Sequence, residues 1–204
     1  MLKLFQDVIE GLSPTYEIDV RSIRQLCNLD TGINQFQALE TQNQLLRRMM
    51  STAPNERVPR HRLIRNLIES GEFEKAATEI RIFETDFRTE GPIAKYKISL
   101  LVARALHSPG LQDSDRSKIL DDARRSAERA CVRFKQNKYV FYVYCDVGLA
   151  LMYHDKESDT FQTAMECLRR AEERLGDPDV TKKIKKYERE AAVTSYRLDL
   201  DLED

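Results

Sequence analysis

One residue pattern occurs three times in this chain and constrains its fold more than any other feature. Each copy places a bulky apolar residue three positions before an alanine, and further apolar or small residues follow that alanine at steps of four, three and four. The three alanines are Ala76, Ala123 and Ala164. Steps of this size fall on one face of an α-helix. Internal repetition of such a face predicts stacked helical hairpins.

The three copies follow one template along their whole length. Their stripes are Ala76, Ile80, Phe83 and Phe87; Ala123, Ala127, Ala130 and Phe134; and Ala164, Leu168, Ala171 and Leu175. Because alanine lets a neighbouring helix approach closely, we interpret each stripe as the inner helix of a hairpin. The segments 58–70, 92–107 and 138–154 are apolar enough to be the partner helices that lie upstream.

This arrangement resembles the tetratricopeptide repeat family, over about residues 57–176. The resemblance is strongest in residues 63–87, where it is carried by Leu63, Leu67, Gly71, Phe73, Ala76, Ile80 and Phe83. Members of the family repeat every 34 residues, whereas Ala123 follows Ala76 after 47 residues and Ala164 follows Ala123 after 41. Long first helices and the loop at 108–113 accommodate the extra residues. The resemblance implies a tetratricopeptide-like α-solenoid.

Composition agrees with an all-α fold. Hydrophobic residues make up 41% of the chain and charged residues 33%, as in a globular protein that buries a core. Only 7 glycines and 6 prolines occur, which suits long helices joined by short turns and not a strand-rich fold. The net charge of −1 provides no overall field that would attract nucleic acid or an anionic membrane.

The chain divides into four segments by pattern. We predict an N-terminal helical extension at 1–50, tetratricopeptide-like repeats at 57–176, a capping helix at 178–195 and an acidic tail at 196–204. A solenoid needs a polar last helix to cover its final apolar face, and the lysine-rich run at 182–186 fits that role. In the tail, acidic residues alternate with leucines, and we expect it to be frayed or to dock in a groove of a partner.

The N-terminal extension contains a short heptad seam in residues 33–50. Its members are Phe36, Leu39, Asn43, Leu46 and Met50. Such a seam pairs two chains in a coiled coil, with the asparagine at an inner position. The same stripe would equally dock this helix on the first repeat. We favour docking, and a homodimer through residues 33–50 is the alternative.

Neither a secretory signal nor a membrane span is predicted. The apolar residues at the N-terminus are spaced as in a helix and are interrupted by Asp7 and Glu10. No stretch approaches the ~18 apolar residues that a span needs. The four cysteines have no paired spacing, so we interpret Cys27, Cys131 and Cys145 as buried thiols. These features predict a soluble, cytoplasmic protein that does not associate with membranes.

No catalytic motif is found in the sequence. A glycine-rich phosphate loop, HExxH, GxSxG and CxxC are all missing, and only three histidines occur. The carboxylates alternate with lysine and arginine along the predicted helices, which is typical of solvated faces with i,i+4 pairing. We therefore expect no enzyme activity, no catalytic residue, no metal ligand and no cofactor.

The strongest local concentration of charge is a basic cluster that extends from Arg47 to Arg65. Arg57, Arg60, Arg62 and Arg65 fall within nine residues at the start of a predicted helix. Arginine near a helix N-terminus opposes the helix dipole. The cluster is interpreted either as a solvated first turn or as a site for phosphates or an acidic peptide.

The family resemblance also implies a binding groove, lined by the first helix of each hairpin. Carried over position by position, the candidate partner-binding residues are His61, Arg65, Lys95, Arg104, Tyr139, Tyr142 and Asp146, and Arg57 and Arg60 of the basic cluster are added to them. The peptide clamp of the family has lysine and asparagine where His61 and Arg65 stand here. Cations and tyrosines along one groove suit an acidic, partly apolar segment.

We therefore predict a non-catalytic interaction or scaffold module that binds a protein or peptide partner in this groove. One alternative is a nucleic-acid-binding accessory subunit that uses the Arg47–Arg65 cluster together with the lysines at 182–186. Another is that the chain is the sensor or scaffold part of a larger signalling or defence ATPase.

Overall fold

The computed structural model describes residues 35–88, 90–155 and 158–200, and within these ranges the chain forms eight α-helices and no strands. The helices are α1 (Gln35–Thr52), α2 (Arg57–Glu69), α3 (Phe73–Phe87), α4 (Glu90–His107), α5 (Asp113–Arg133), α6 (Lys138–His154), α7 (Thr160–Leu175) and α8 (Pro178–Leu200). The predicted all-α class is confirmed. None of these helices is long and apolar enough to cross a membrane.

The helices belong to two compact units. Unit 1 reaches to Arg88 and contains α1 to α3, and unit 2 begins at Thr89 and contains α4 to α8. The boundary follows the C-cap of α3, where Arg88 adopts a left-handed conformation with φ of 48°. The predicted repeat region at 57–176 is therefore shared between the two units.

In unit 1, α2 packs against both α1 and α3. The core is built from Leu45, Leu46, Met49, Leu63, Ile64, Leu67, Ala76, Ile80 and Phe83. A buried polar contact joins α1 to α2, because the Asn66 amide donates to Gln42 Oε1 at 2.7 Å and to Asn43 Oδ1 at 2.9 Å. Helix α1 therefore packs on the first hairpin, with Asn43 and Leu46 of the predicted seam buried and Leu39 and Met50 half-buried. The homodimer through residues 33–50 stays a prediction.

In unit 2, α6 is the central helix and contacts α4, α5, α7 and α8. It is nearly all apolar, and its buried residues include Phe141, Tyr144 and Cys145. Its packing against α7 is close, because a Cβ added at Gly148 would lie 2.6 Å from Phe161 Cα. A helix that is apolar on nearly every side can exist in a soluble domain only when other helices cover it.

The three repeated stripes face the cores as predicted. In each of them the first three positions are at most 5% exposed, and the fourth position is half-buried. The first stripe lies on α3, which packs against α2. The second lies on α5, which packs against α4 and α6, and the third lies on α7, which packs against α6. Small residues at these positions allow the close helix approach that the template predicted.

The structure modifies some predicted boundaries and leaves others outside the described ranges. Helix α8 continues to Leu200, past the predicted end of the capping helix at 195. The expected first helices of the N-terminal extension, Cys27 and residues 201–204 of the tail lie outside the described residues. Cys131 and Cys145 are buried as predicted, and burial raises the pKa of the Cys131 thiol to about 12.

Candidate partner-binding surface

The candidate site of unit 2 lies on three adjoining helices. Lys95 of α4 contacts Tyr139 and Lys183 of α8 contacts Tyr142, whose ring adjoins that of Tyr139, so residues from all three helices meet on one surface. On α6, the residues Tyr139, Tyr142, Asp146 and Tyr153 recur at steps of three, four and seven, and none of them is fully buried. A helix turns by about 100° per residue, so the four side chains share one face. We call the surface formed by these four residues, Lys95 of α4 and Lys183 of α8 the α4–α6–α8 face.

Lysine–tyrosine contacts occupy the part of this face nearest the start of α6. The Lys95 ammonium lies 4.8 Å from the centroid of the Tyr139 ring, and the Lys138 ammonium lies 5.7 Å from it. Tyr139 is 49% exposed, and its ring meets that of Tyr142 edge to face at 5.8 Å. An exposed aromatic ring that holds cations above it offers both apolar area and positive charge.

A second lysine–tyrosine group joins α6 to α8. The Lys183 ammonium lies 4.6 Å from the ring centroid of Tyr187 and 5.8 Å from that of Tyr142. The Tyr142 hydroxyl is buried and has no hydrogen-bond partner among the described residues. Its burial raises the pKa of Tyr142. A buried hydroxyl without a partner is costly, so this atom is a hydrogen-bonding group that a ligand or water could satisfy.

Asp146 provides the one carboxylate of the face. The Tyr187 hydroxyl lies 2.7 Å from Asp146 Oδ1 and 2.7 Å from the backbone oxygen of Tyr142. A hydroxyl has a single hydrogen and donates to one of these oxygens at a time. Asp146 keeps solvent-exposed surface, yet the protein packed around its carboxylate raises its pKa, while the hydrogen bond from Tyr187 and the nearby Lys183 act in the opposite direction. One oxygen of this carboxylate is therefore held by Tyr187, while the side chain stays exposed to solvent.

The predicted residues of unit 1 form a different environment. Arg57 and Arg60 place their guanidinium groups 5.4 and 5.8 Å from the centroid of the Phe87 ring. Arg60 also forms an ion pair with Asp86 at 3.2 Å. His61 contacts the Phe83 ring edge to face at 4.7 Å. These contacts place Arg57, Arg60 and His61 against α3.

Two of the predicted residues, Arg65 and Arg104, belong neither to the α4–α6–α8 face nor to the group of side chains that contacts α3. Arg65 is exposed and bonds to Glu69 of its own helix at 2.5 Å. Arg104 follows Lys95 by nine residues on α4, which corresponds to about 180° of rotation around the helix. Arg104 is therefore on the opposite side of α4 from Lys95, so this helix cannot present both side chains to one groove.

Three residues of the site were not predicted. Lys138 bonds to Asp177 at 2.6 Å beside Tyr139, and Lys183 and Tyr187 face α6 from α8. The four-residue spacing of Lys183 and Tyr187 indicates that they share a helix face, but the lysine run was interpreted as a polar cap or as part of a nucleic-acid site. In the ranges that the structure describes, no group of His, Cys, Asp and Glu side chains could hold a metal ion.

No family model matches this chain, and no curated protein or solved structure is significantly similar to it. The tetratricopeptide-like stacking implied by the sequence therefore stays a prediction.

Proposed function

We propose that this chain is a protein-interaction module without chemistry of its own, and that the α4–α6–α8 face binds an acidic, partly apolar segment of a protein partner. The observation that carries this proposal is the pair of lysine–tyrosine groups, Lys95 with Tyr139 and Lys183 with Tyr142, on one face of unit 2. Tyrosines are enriched at protein interfaces because their rings are apolar and their hydroxyl groups are polar.

The chemistry of the face favours a ligand with carboxylates. Lys183 lies above aromatic rings, which carry no neutralising charge, so it keeps its own. Lys95 and Lys183 flank a row of tyrosine rings, and the Asp146 carboxylate is already bonded to Tyr187. An acidic side chain can thus approach Lys95 or Lys183 while its apolar neighbours contact Tyr139 and Tyr153. Complementary charge of this kind increases the rate and the specificity of association.

The arrangement of helices supports the same proposal. The face is formed by the first helices of the α4–α5 and α6–α7 hairpins, followed by α8. In helical solenoids each repeat contacts its neighbours and the first helices build a continuous binding surface. We include tetratricopeptide-like stacking of unit 2 in the proposal on this basis. A cytoplasmic location and membership of a larger signalling or defence ATPase stay predictions.

The nucleic-acid alternative is weakened by the contacts of the Arg47–Arg65 cluster. Arg47 bonds to Glu79 at 2.8 Å, and Arg60 and Arg65 pair with Asp86 and Glu69. These carboxylates neutralise charges that would otherwise be offered to phosphates. We therefore place the binding site on unit 2.

The proposal is tested by selecting random peptides displayed on phage against the purified full chain. We expect the enriched peptides to combine aspartate or glutamate with bulky apolar residues. Binding of the best synthetic peptide, followed by fluorescence anisotropy, should weaken at least about tenfold in Lys95→Glu and in Lys183→Glu.

Lys185→Glu is the matched control. Lys185 is an exposed lysine of α8 that lies about 200° around the helix from Lys183, so its reversal changes the net charge equally without altering the face. Enrichment of basic or featureless peptides, or equal losses in all three variants, would contradict the proposed site. Circular dichroism of each variant checks that the helical content is unchanged.

A further inference from the structure

A second surface of unit 2 adjoins the α4–α6–α8 face at Tyr139 and extends away from it. A shallow cleft of about 930 Å³ lies where the turn between α5 and α6 meets the start of α4 and the end of α7. Apolar side chains dominate its lining, namely Pro92, Val132, Phe134, Tyr139 and Leu175. Val132 is 71% exposed, more than any other large hydrophobic residue that the structure describes. Such exposure of apolar surface often marks an interaction site.

The rim of the cleft is positively charged. Arg133 pairs with Glu90 at 2.5 Å and Lys138 pairs with Asp177. Lys135 lines the cleft, and the Arg174 guanidinium donates to the Lys135 carbonyl oxygen at 2.6 Å. Neither Lys135 nor Arg174 has a carboxylate partner within the described part of the chain. The cleft therefore combines an apolar lining with two cations whose charge is not neutralised.

The sequence contains a segment with the complementary chemistry. In residues 198–204, Leu198, Leu200 and Leu202 alternate with Asp199, Asp201 and Glu203, and Asp204 follows. Four carboxylates and three leucines match a basic, apolar cleft in charge and in polarity. The proposed function assigns no role to this segment.

Helix length prevents the segment from reaching the cleft of its own chain. Helix α8 starts at Pro178, close to Leu175 in the cleft, and runs for 23 residues. At 1.5 Å per residue its far end lies about 34 Å from its start. The four residues after Leu200 span at most about 14 Å when extended. The segment can therefore enter this cleft only on a different copy of the chain.

We propose that the cleft lined by Val132, Phe134 and Lys135, with Arg174 at its rim, binds residues 198–204 of a second copy of this chain. The contact joins different surfaces of the two copies, so it is heterologous and adds further copies in sequence. A segment of this length buries less area than a stable interface, which makes the association weak and dependent on concentration.

Sedimentation velocity of the full chain over a wide concentration range tests this proposal. We expect the average mass to rise above that of the monomer without stopping at the dimer, and the rise to diminish with salt. Val132→Lys and Lys135→Glu should each lower the association constant at least about tenfold. Lys185→Glu serves again as the control and should associate like the wild type. A monomer at every concentration, or association unchanged in both cleft variants, overturns the proposal.

A charge exchange tests whether the contact forms between copies. The double variant Asp199→Lys, Asp201→Lys should lose self-association, and so should Lys135→Glu. Mixing these two variants pairs an acidic cleft with a basic tail, and association should return in the mixture. Loss in both variants without recovery in the mixture would contradict a direct contact between Lys135 and the tail.

A fluorescein-labelled peptide of residues 196–204 identifies the occupant. We expect it to bind the full chain and to lose affinity in Val132→Lys, whereas a peptide with serine in place of the three leucines keeps the charge but binds more weakly. Peptide binding by a chain that never self-associates would assign the cleft to a different protein and overturn the second-copy proposal. Val132 and Lys135 are not part of the α4–α6–α8 face, so this proposal and the proposed function can fail separately.

Discussion

Arg60 and Arg65 of unit 1 differ from Lys183 of unit 2 in that a carboxylate pairs with each of them. In unit 1, Arg60 and Arg65 form ion pairs with carboxylates of their own unit. In unit 2, Lys183 lies above the rings of Tyr187 and Tyr142, and no ion pair to it is found within the described residues. An ion pair neutralises the arginine, whereas a ring attracts a lysine without removing its charge. A high density of arginine in the sequence is thus a poorer guide to an anion-binding surface than the identity of the neighbouring side chains.

The two units also differ in the contact that fixes a helix in place. In unit 1, α1 and α2 are joined by the buried amides of Gln42, Asn43 and Asn66. In unit 2, α8 is joined to α6 by the ring and hydroxyl of Tyr187. The polar contact depends on the two hydrogen bonds that the Asn66 amide donates, and the aromatic contact depends mainly on buried area. Mutations of the two contacts should therefore behave differently.

Tyr187→Ala is expected to have the largest effect. The side chain of Tyr187 is fully buried, and loss of a buried aromatic side chain costs about 3–5 kcal/mol of unfolding free energy. Chemical denaturation, with hydrogen exchange of the α6 and α8 amides, measures this loss. Tyr187→Phe keeps the ring and removes the hydroxyl, so it should cost only about 1 kcal/mol. Equal losses in the two variants would show that the hydrogen bond, and not packing, joins α8 to α6.

Asn66→Ala should have the next largest effect, and it acts in unit 1. The truncation leaves the buried amides of Gln42 and Asn43 without their donor, which costs about 1–3 kcal/mol. Hydrogen exchange of α1 and α2 should report the loss. The triple variant with leucine at 42, 43 and 66 replaces every polar partner, and we expect its stability to be close to that of the wild type. A triple variant as unstable as Asn66→Ala would contradict the hydrogen-bond explanation.

The binding comparison between the units is tested by two charge reversals. Lys183→Glu should lower the affinity for the selected acidic peptide about tenfold, because it places a carboxylate beside Tyr142. Arg65→Glu should change the affinity less, because Arg65 is already paired with Glu69. Fluorescence anisotropy of the same peptide compares the two. A larger loss for Arg65→Glu would return the site to the groove position that the family resemblance implied.

The smallest expected effect is the change of stability with pH that arises from two carboxylates in unit 2. The packing around Asp146 raises its pKa, so its contribution to stability is present below the ordinary value of 3.8 and is lost as the pH rises through the raised pKa. Asp177 behaves oppositely, because its hydrogen bond from Lys138 lowers its pKa. Its contribution is present above 3.8 and is lost as the pH falls through the lowered pKa.

Carbon-detected NMR titration of the carboxyl groups measures both pKa values. At neutral pH, the Asp146→Asn variant should have a larger free energy of unfolding than the wild type. This difference in stability should vanish well below pH 3.8. A normal pKa for Asp146 would show that the surrounding protein does not desolvate its carboxylate.

The helical fold was predictable because its signals are local. The stripe that begins at Ala123 uses a spacing that only a helix places on one face, and the structure buries its first three positions. The start of α6 at Lys138 was predicted for the same reason. The site was less predictable, because it depends on contacts between helices that are distant in the sequence. Tyr187 is 41 residues from Asp146, and no periodicity indicates that these two residues meet.

Helix rotation explains the candidate residues that were misplaced. Lys95 and Arg104 were both assigned to a groove, but nine residues correspond to about half a turn beyond two full turns. Helix α4 is packed on two sides, so it has two solvent-exposed strips. The sequence does not distinguish a charged residue on one strip from a charged residue on the other. Which of the strips adjoins α6 depends on tertiary packing. Only the contact of Lys95 with Tyr139 distinguishes them.

The late position of Tyr187 in the chain has a consequence for synthesis on the ribosome. Asp146 is made 41 residues before the tyrosine that packs against its helix. At about 5–20 residues per second, the interval is about 2–8 s. During that time the nearly all-apolar α6 lacks its partner α8, and it is open to chaperones or to aggregation. The rate of translation through α8 should therefore influence how much of the newly made protein folds.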